Sequence, residues 1–208
     1  MNIGSHIHCK NIERLRSSDI PSADILIGGF PCQGFSVANV GRNTRDERNG
    51  LYRQFVRVLK AKRPRYFVAE NVKGILSLGN GAIFQMIITD FARAGYSVQS
   101  AVLNAADYGV PQRRERVIIL GTRNRVRPVL GFPPPPTHAP RDLAQMAGLK
   151  PWKGVGDALR DIPDPDGPHS LHNHEYTRYK LRFNGYLGHR KIDSQLPAPT
   201  ITARGDDR

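Results

Sequence analysis

Asp24-Ile25-Leu26-Ile27-Gly28-Gly29-Phe30-Pro31-Cys32-Gln33-Gly34-Phe35-Ser36 is the stretch on which the reading of this chain turns. Its opening apolar run, closed by glycines, has the pattern of a short buried strand over residues 24–28. A tight loop shaped by Gly and Pro follows. It presents Cys32, one of two cysteines in the chain, just past the strand's end. Ligands of open α/β sheets sit at the carboxyl ends of strands, so a thiol at this point is placed for chemistry.

Outward from that loop, strands and helices alternate. The spacing of Leu51, Phe55 and Leu59 predicts a helix over 51–61 that stops before Pro64. A strand over 66–69 runs into Glu70-Asn71-Val72. A second helix over 82–94 carries Ile83, Ile87 and Phe91 on one stripe, and Gly95 ends it. Strands over 97–103 and 117–121 flank a loop through Gly109 and Pro111. Strands separated by helices imply an α/β fold with a mostly parallel sheet and crossover connections. After about Arg127 the character changes. Phe132-Pro133-Pro134-Pro135-Pro136 is a stiff extended spacer, and the rest is loop-rich with weak periodicity.

With 208 residues the chain can bury one good core and part of a second small region. An apolar content of 39% implies a globular fold. No apolar run approaches the roughly 20 residues that cross a membrane, and no basic-then-apolar leader follows Met1. Two cysteines make no disulfide framework, so reduced thiols in a cytoplasm are the expectation. Charge is the strong bulk signal: 31 Lys and Arg against 18 Asp and Glu give +13. That balance favours a polyanionic partner, nucleic acid first. Between Arg42 and Arg65 lie nine basic residues and two acidic ones. The Gly-, Asn- and Arg-rich loop at 40–50 suits phosphate contact, while Arg53, Arg57 and Lys60 read as the solvated side of the helix.

Three groups of reactive residues follow one another at strand ends: Pro31-Cys32-Gln33, Glu70-Asn71-Val72 and Gln112-Arg113-Arg114-Glu115-Arg116. Singly, each has a plain structural explanation: a small buried thiol, a helix cap, a solvated Arg cluster. Together they resemble the cytosine-5 DNA methyltransferases. The Gly-Phe-Pro-Cys-Gln loop, the Glu-Asn-Val tripeptide and the Gln-Arg-Arg-Glu-Arg-Val run stand in that family's order and at family-like spacing. Asp107-Tyr108-Gly109-Val110-Pro111 and the late Pro197-Ala198-Pro199-Thr200-Ile201-Thr202-Ala203-Arg204 fit as well.

The resemblance implies a partial Rossmann-like sheet of the S-adenosylmethionine-dependent methyltransferases, with helices on both faces and a small loop-rich region. Its spans are an incomplete catalytic domain over 1–126, a target-recognition region over 127–190, and over 191–208 the start of a segment that returns to the catalytic domain. The implied activity is methyl transfer from S-adenosylmethionine to carbon 5 of cytosine in double-stranded DNA, through a covalent Cys adduct with a flipped base. A restriction-modification setting goes with it, bacterial or phage, in the cytoplasm at the nucleoid of a bacterium or a phage-infected cell. Cys32 takes the nucleophile's place, because a thiolate adding to carbon 6 turns the ring into an enamine. Glu70 is the candidate acid toward ring nitrogen 3, and Arg114 and Arg116 would bind the exocyclic oxygen and nearby phosphate. Asn71 would position the loop, with Gln33 and Ser36 flanking the vacated stack. Asn11, Ile12, Pro31 and Leu51 fall at cofactor-binding positions, Asn11 standing where the family usually has Asp.

The pattern departs from the family at both ends. No Phe-x-Gly-x-Gly occurs, the acidic residue that holds the cofactor ribose is absent, and the family's closing segment does not follow Arg208. The expectation is therefore a family member lacking parts of the cofactor site, which a complementing chain or further segments would supply. Alone it should bind S-adenosylmethionine weakly or not at all, and its exposed sheet edge should make it poorly soluble. The alternatives are a catalytically silent nucleic-acid-binding fragment and an RNA cytosine methyltransferase with the same chemistry. His172-Asn173-His174 spells a nuclease motif without the flanking hairpin and helix that such nucleases need. His6, His8 and Cys9 fall short of the four ligands of a zinc site, so no metal site is expected.

Overall fold

A computed structural model describes residues 10–31, 50–127, 131–164, 167–172 and 192–200. The apolar run at the start forms strand β1 (Ile25–Gly29). Helix α1 (Gly50–Lys62) ends before Pro64, and strand β2 (Tyr66–Val72) runs three residues further than its apolar pattern predicts. Helix α2 (Ala82–Arg93) stops at Ala94-Gly95, where Gly95 takes a positive φ of 96°. Strands β3 (Tyr96–Asn104) and β4 (Glu115–Arg123) complete the sheet, whose order is β1-β2-β4-β3.

The sheet is mixed: not every strand follows the parallel arrangement expected. β1 and β2 are parallel, but β4 runs antiparallel to β2. The connection over residues 105–114 holds only a short 3-10 turn. A parallel crossover needs a dozen or more residues, usually a helix, so a shorter link sends the chain back in the opposite direction.

Helices were expected on both faces; among the described residues α1 and α2 share one. Phe55 of α1 and Phe91 of α2 both pack on Phe67 of β2, at ring separations of 5.7 and 4.7 Å. The Tyr52 hydroxyl of α1 donates to Asp90 of α2 at 2.8 Å. Leu59, Phe67, Ile75, Ile87, Phe91, Val117 and Ile119 are fully buried, each such side chain contributing about 1.5–3 kcal/mol by leaving water. Two glycines make this packing fit. A β-carbon on Gly28 would stand 2.9 Å from the Phe55 ring, and one on Gly121 only 1.9 Å from the ring of Phe67, its cross-strand partner. The opposite face is far less covered: Ile25 and Ile27 are 52% and 75% exposed.

The described residues divide into two compact units, Met1–Leu103 with Glu115–Pro134, and Asn104–Arg114 with Pro135–Arg208. The second unit thus takes in residues 104–114, which lie before the boundary expected near 127. It contains the short strand pair β5 (His138–Ala139) and β6 (Lys150–Pro151), and the short helices α3 (Arg141–Ala144) and α4 (Val155–Leu159). Asp107 ties it together. Its backbone carbonyl accepts from Thr137 N–H at 2.9 Å, and its carboxylate accepts from the Trp152 indole at 2.9 Å.

Candidate active site

The alternation of a strand sends Glu70 and Asn71 to opposite faces of β2. Asn71 faces the core and is 3% exposed. Its amide Nδ2 donates to the Phe30 carbonyl at 2.9 Å, while its Oδ1 accepts from Val72 N–H at 2.9 Å. The side chain therefore fixes the backbone two residues before Cys32. Glu70 faces the outer side and pairs in register with Gly29 of β1. A β-carbon on Gly29 would stand 3.4 Å from Glu70 Oε2, at van der Waals contact, so the carboxylate lies beside the glycine.

Arg116 reaches the same carboxylate from β4. It sits opposite Val72, diagonal to Glu70, a separation that long side chains span. Its Nε lies 2.8 Å from Glu70 Oε1, with side-chain exposures of 17% for Arg116 and 42% for Glu70. The contact is an ion pair rather than an aligned hydrogen bond, because the buried Nε–H does not point along that line. Another guanidinium nitrogen of Arg116 donates to the Glu115 carbonyl at 2.8 Å, and Lys73 holds the Glu115 carboxylate at 3.0 Å.

Arg114 belongs to the second unit. Its backbone N–H donates to the Asn104 side chain at 3.0 Å, and its carbonyl accepts from Ala105 N–H at 3.1 Å. Beside it, Gln112 bridges to Ala198, Arg113 N–H donates to the Ala198 carbonyl at 2.8 Å, and the Thr200 hydroxyl donates to the Arg113 carbonyl at 2.8 Å. The Pro197–Thr200 portion of the late Pro/Thr-rich segment thus lies alongside the Arg run within that unit.

At the carboxyl end of β1 opens an apolar cavity of about 370 Å³. Residues 12–21 form one wall through Ile12, Leu15 and Ile20; Phe30, Pro31 and Leu51 stand on the others. Three of the four residues singled out for cofactor contact, Ile12, Pro31 and Leu51, therefore line one cavity. Asn11 does not line it. Its side chain caps the 3-10 turn Ile12–Arg14, accepting from Glu13 N–H at 3.0 Å and donating to the Glu13 carboxylate at 3.2 Å.

Cys32, Gln33, Ser36 and the basic loop at 40–49 lie outside the described residues, as do His6, His8, Cys9, Asn173 and His174. Among the described residues, no group of three or more His, Cys, Asp or Glu is placed to hold a metal ion, and no helix is long and apolar enough to cross a membrane. Sequence reasoning missed the contact of Glu70 with Gly29 and the engagement of Arg57, read as solvated. That guanidinium is partly buried and bonded to Gln54, Ser17 and Ile12. The signal available was weak: a Gln three residues earlier on the same helix.

The family model of C-5 cytosine-specific DNA methylase matches residues 1–200. The chain is 46% identical over 170 residues to Type II methyltransferase M.BspRI of Lysinibacillus sphaericus, a match covering 81% of this chain and 38% of that protein. It is 38% identical over 178 residues to Type II methyltransferase M.AquIA of a Picosynechococcus strain, covering 78% of this chain and 71% of that protein. Among solved structures, a prophage-encoded E. coli protein assigned as a DNA modification methyltransferase superposes with a TM-score of 0.54 at 27% identity, over 74% of this chain and 41% of that one. The chain spans about two fifths of the length of the leading curated relatives. It belongs to the C-5 cytosine-specific DNA methylase family.

Proposed function

We propose that this methylase-family chain carries the base-binding and chemical part of an enzyme that methylates carbon 5 of cytosine in duplex DNA, in a bacterial restriction-modification setting. The observation that supports it best is one convergence. The Glu70 carboxylate, paired with Arg116, stands beside Gly29, while Asn71 grips the Phe30 carbonyl from the other face. Acid, guanidinium and the backbone leading into Cys32 meet at one end of the sheet.

Carbon 5 of cytosine is a poor nucleophile. The Cys32 thiolate adds to carbon 6, and the displaced double-bond electrons leave an enamine that is nucleophilic at carbon 5. Glu70 gives a proton or hydrogen bond to nitrogen 3 as charge builds there. Arg116 holds the exocyclic oxygen. Once carbon 5 is substituted, loss of its proton and departure of the thiolate restore the aromatic ring. The base must leave the duplex first, at a cost of roughly a few kcal/mol. Phosphate contacts from the basic loop at 40–50 offset this, with Gln33 and Ser36 beside the vacated stack.

The cofactor would be S-adenosylmethionine. The apolar cavity fits a flat adenine ring held among Ile12, Pro31 and Leu51. When bound, it supplies an electrophilic methyl carbon. No carboxylate lines the cavity among the described residues, so the ribose and methionine ends call for groups from elsewhere. The exposure of Ile25 and Ile27 points the same way, to further segments or a complementing chain over this part of the sheet.

The test is a chimera in which this chain replaces the matching segment of M.BspRI. With labelled S-adenosylmethionine and cytosine-containing duplex DNA it should transfer methyl groups, and 5-fluorocytosine DNA should trap a covalent adduct that Cys32→Ser abolishes. No adduct in a folded chimera would overturn the reading. A second reading, a DNA-binding but catalytically silent chain, draws on the same lack of a carboxylate in the cavity. It gains if the chain alone binds DNA yet neither S-adenosylmethionine by calorimetry nor methyl transfer is detected, in the chain or the chimera.

A further inference from the structure

We propose that Arg57 is a positioning residue for the cavity at the end of β1, holding in place the wall against which an adenine ring would lie. The proposal rests on the cofactor reading above for the identity of the ligand, but not for the contacts themselves. Residues 10–21 contain two short 3-10 turns, Ile12–Arg14 and Ser17–Asp19, whose remaining hydrogen bonds are local. Such a segment has little stability of its own, since short 3-10 pieces have poor hydrogen-bond geometry. Yet Ile12, Leu15, Ile20 and Pro21 supply one whole side of the cavity.

Among the described residues, every hydrogen bond joining this segment to the rest of its unit comes from Arg57. One guanidinium nitrogen donates to the Ile12 carbonyl at 2.9 Å and another to the Ser17 hydroxyl at 3.0 Å. The first bond falls on the turn carrying Ile12, the second on the turn that precedes Ile20. Nε donates to Gln54 Oε1 at 2.6 Å, which locks the guanidinium plane, and Gln54 itself lines the cavity. A planar fork with donors on three nitrogens can serve three acceptors at once, whereas a lysine ammonium in the same place reaches only part of the set. The arrangement spans from the helix to both turns and leaves the ligand side of the segment purely apolar. Arg57 touches no ligand position; it acts through Ile12, Ser17 and Gln54.

The test uses the full chain and amide hydrogen exchange, with Arg57→Met as an uncharged near-isostere, Arg57→Lys as the conservative variant and Ser17→Ala as a milder cut. Arg57→Met should speed exchange of the amides at 14, 15, 19 and 20 by about tenfold relative to those of β2 and α2, with Arg57→Lys in between. Should Arg57→Met fail to fold, Ser17→Ala decides: it should speed exchange at 19 and 20 severalfold and leave β2 unchanged. Equal protection of the segment in the wild type and the folded variants would overturn the proposal. Adenosine, titrated into the M.BspRI chimera carrying each of these variants, supplies a second readout. Its Kd should rise about tenfold in Arg57→Met and recover in part in Arg57→Lys. An unchanged Kd in Arg57→Met would overturn the positioning role. Failure of adenosine to bind even the unsubstituted chimera, with the segment still loosened by Arg57→Met, would sink the cofactor reading and leave the role of Arg57 standing.

Discussion

At the residue scale, stability and chemistry separate cleanly at Glu70. Its ion pair with Arg116 involves a side chain that is 42% exposed, and such pairs contribute about 0–1 kcal/mol. Glu70→Gln should therefore leave the urea midpoint of the chain almost unchanged while lowering methyl transfer by the M.BspRI chimera about 10²–10⁴-fold; a large loss of stability would mean that the pair is structural. Asn71 should behave in the opposite way. Asn71→Ala leaves the Phe30 carbonyl without its donor in a buried setting, a loss of about 1–3 kcal/mol readable as a lower urea midpoint at constant slope. Tyr52 gives the chain an alkaline limit. Burial, aided by the bond to Asp90, holds its phenol above the usual 10.0, and burial does the same for Tyr96. A raised phenol keeps its proton in the fold after the unfolded chain has lost it. That stabilisation is whole below about pH 10 and drains as the pH climbs through the folded value. Tyr52→Phe should narrow the difference in urea midpoint between pH 8 and pH 11. Part of this was legible: the resemblance told Glu70 and Asn71 apart as chemistry and support, but their opposite faces were not, because the strand was expected to end at residue 69. Nor was Arg57, because a basic residue on an amphipathic helix looks solvated until the turns it holds are in place.

At the element scale, hydrophobic period placed every long strand and helix to within a few residues, but it carries no information on strand direction. β4 reads as an apolar strand whichever way it runs; only its pairing with β2 reveals the reversal. The extension of β2 through Glu70-Asn71-Val72 was hidden too, because polar residues of functional type interrupt the apolar pattern. Glycine was the least legible of all. Gly121 is unremarkable in sequence, yet the Phe67 ring occupies the very space that a side chain there would need. Phe67 is fully buried between Phe55, Phe91 and Tyr96, so it has nowhere to retreat. Gly121→Ala should cost at least about 1–3 kcal/mol through overpacking, lowering the urea midpoint and broadening the side-chain NMR signals of the aromatic cluster. A variant as stable as the wild type would show that the β2–β4 register differs from the one described.

At the scale of the whole molecule, the two faces of the first unit are treated very differently. One face is closed by α1 and α2 over an aromatic cluster. On the other, Ile25, Ile27 and Val72 are 52%, 75% and 38% exposed. The run Ile25-Leu26-Ile27 has the continuous apolar character of a strand meant to be covered on both sides, and β1 pairs along one edge only among the described residues. An apolar strand with a free edge and a bare face is a template for association. The chain alone should therefore self-associate at concentrations on the order of tens of micromolar, detectable by sedimentation velocity. Ile27→Lys places a charge on that strand without touching the helix-covered face. It should restore a monomer while changing folding stability by no more than about 0.5 kcal/mol. The same substitution in the M.BspRI chimera should be costly, because there the covering segments are present and would have to bury the ammonium. Opposite signs in the two settings are the signature of an interface that this chain leaves for other segments to complete; a wild-type chain that stays monomeric at those concentrations would show instead that this face needs no cover.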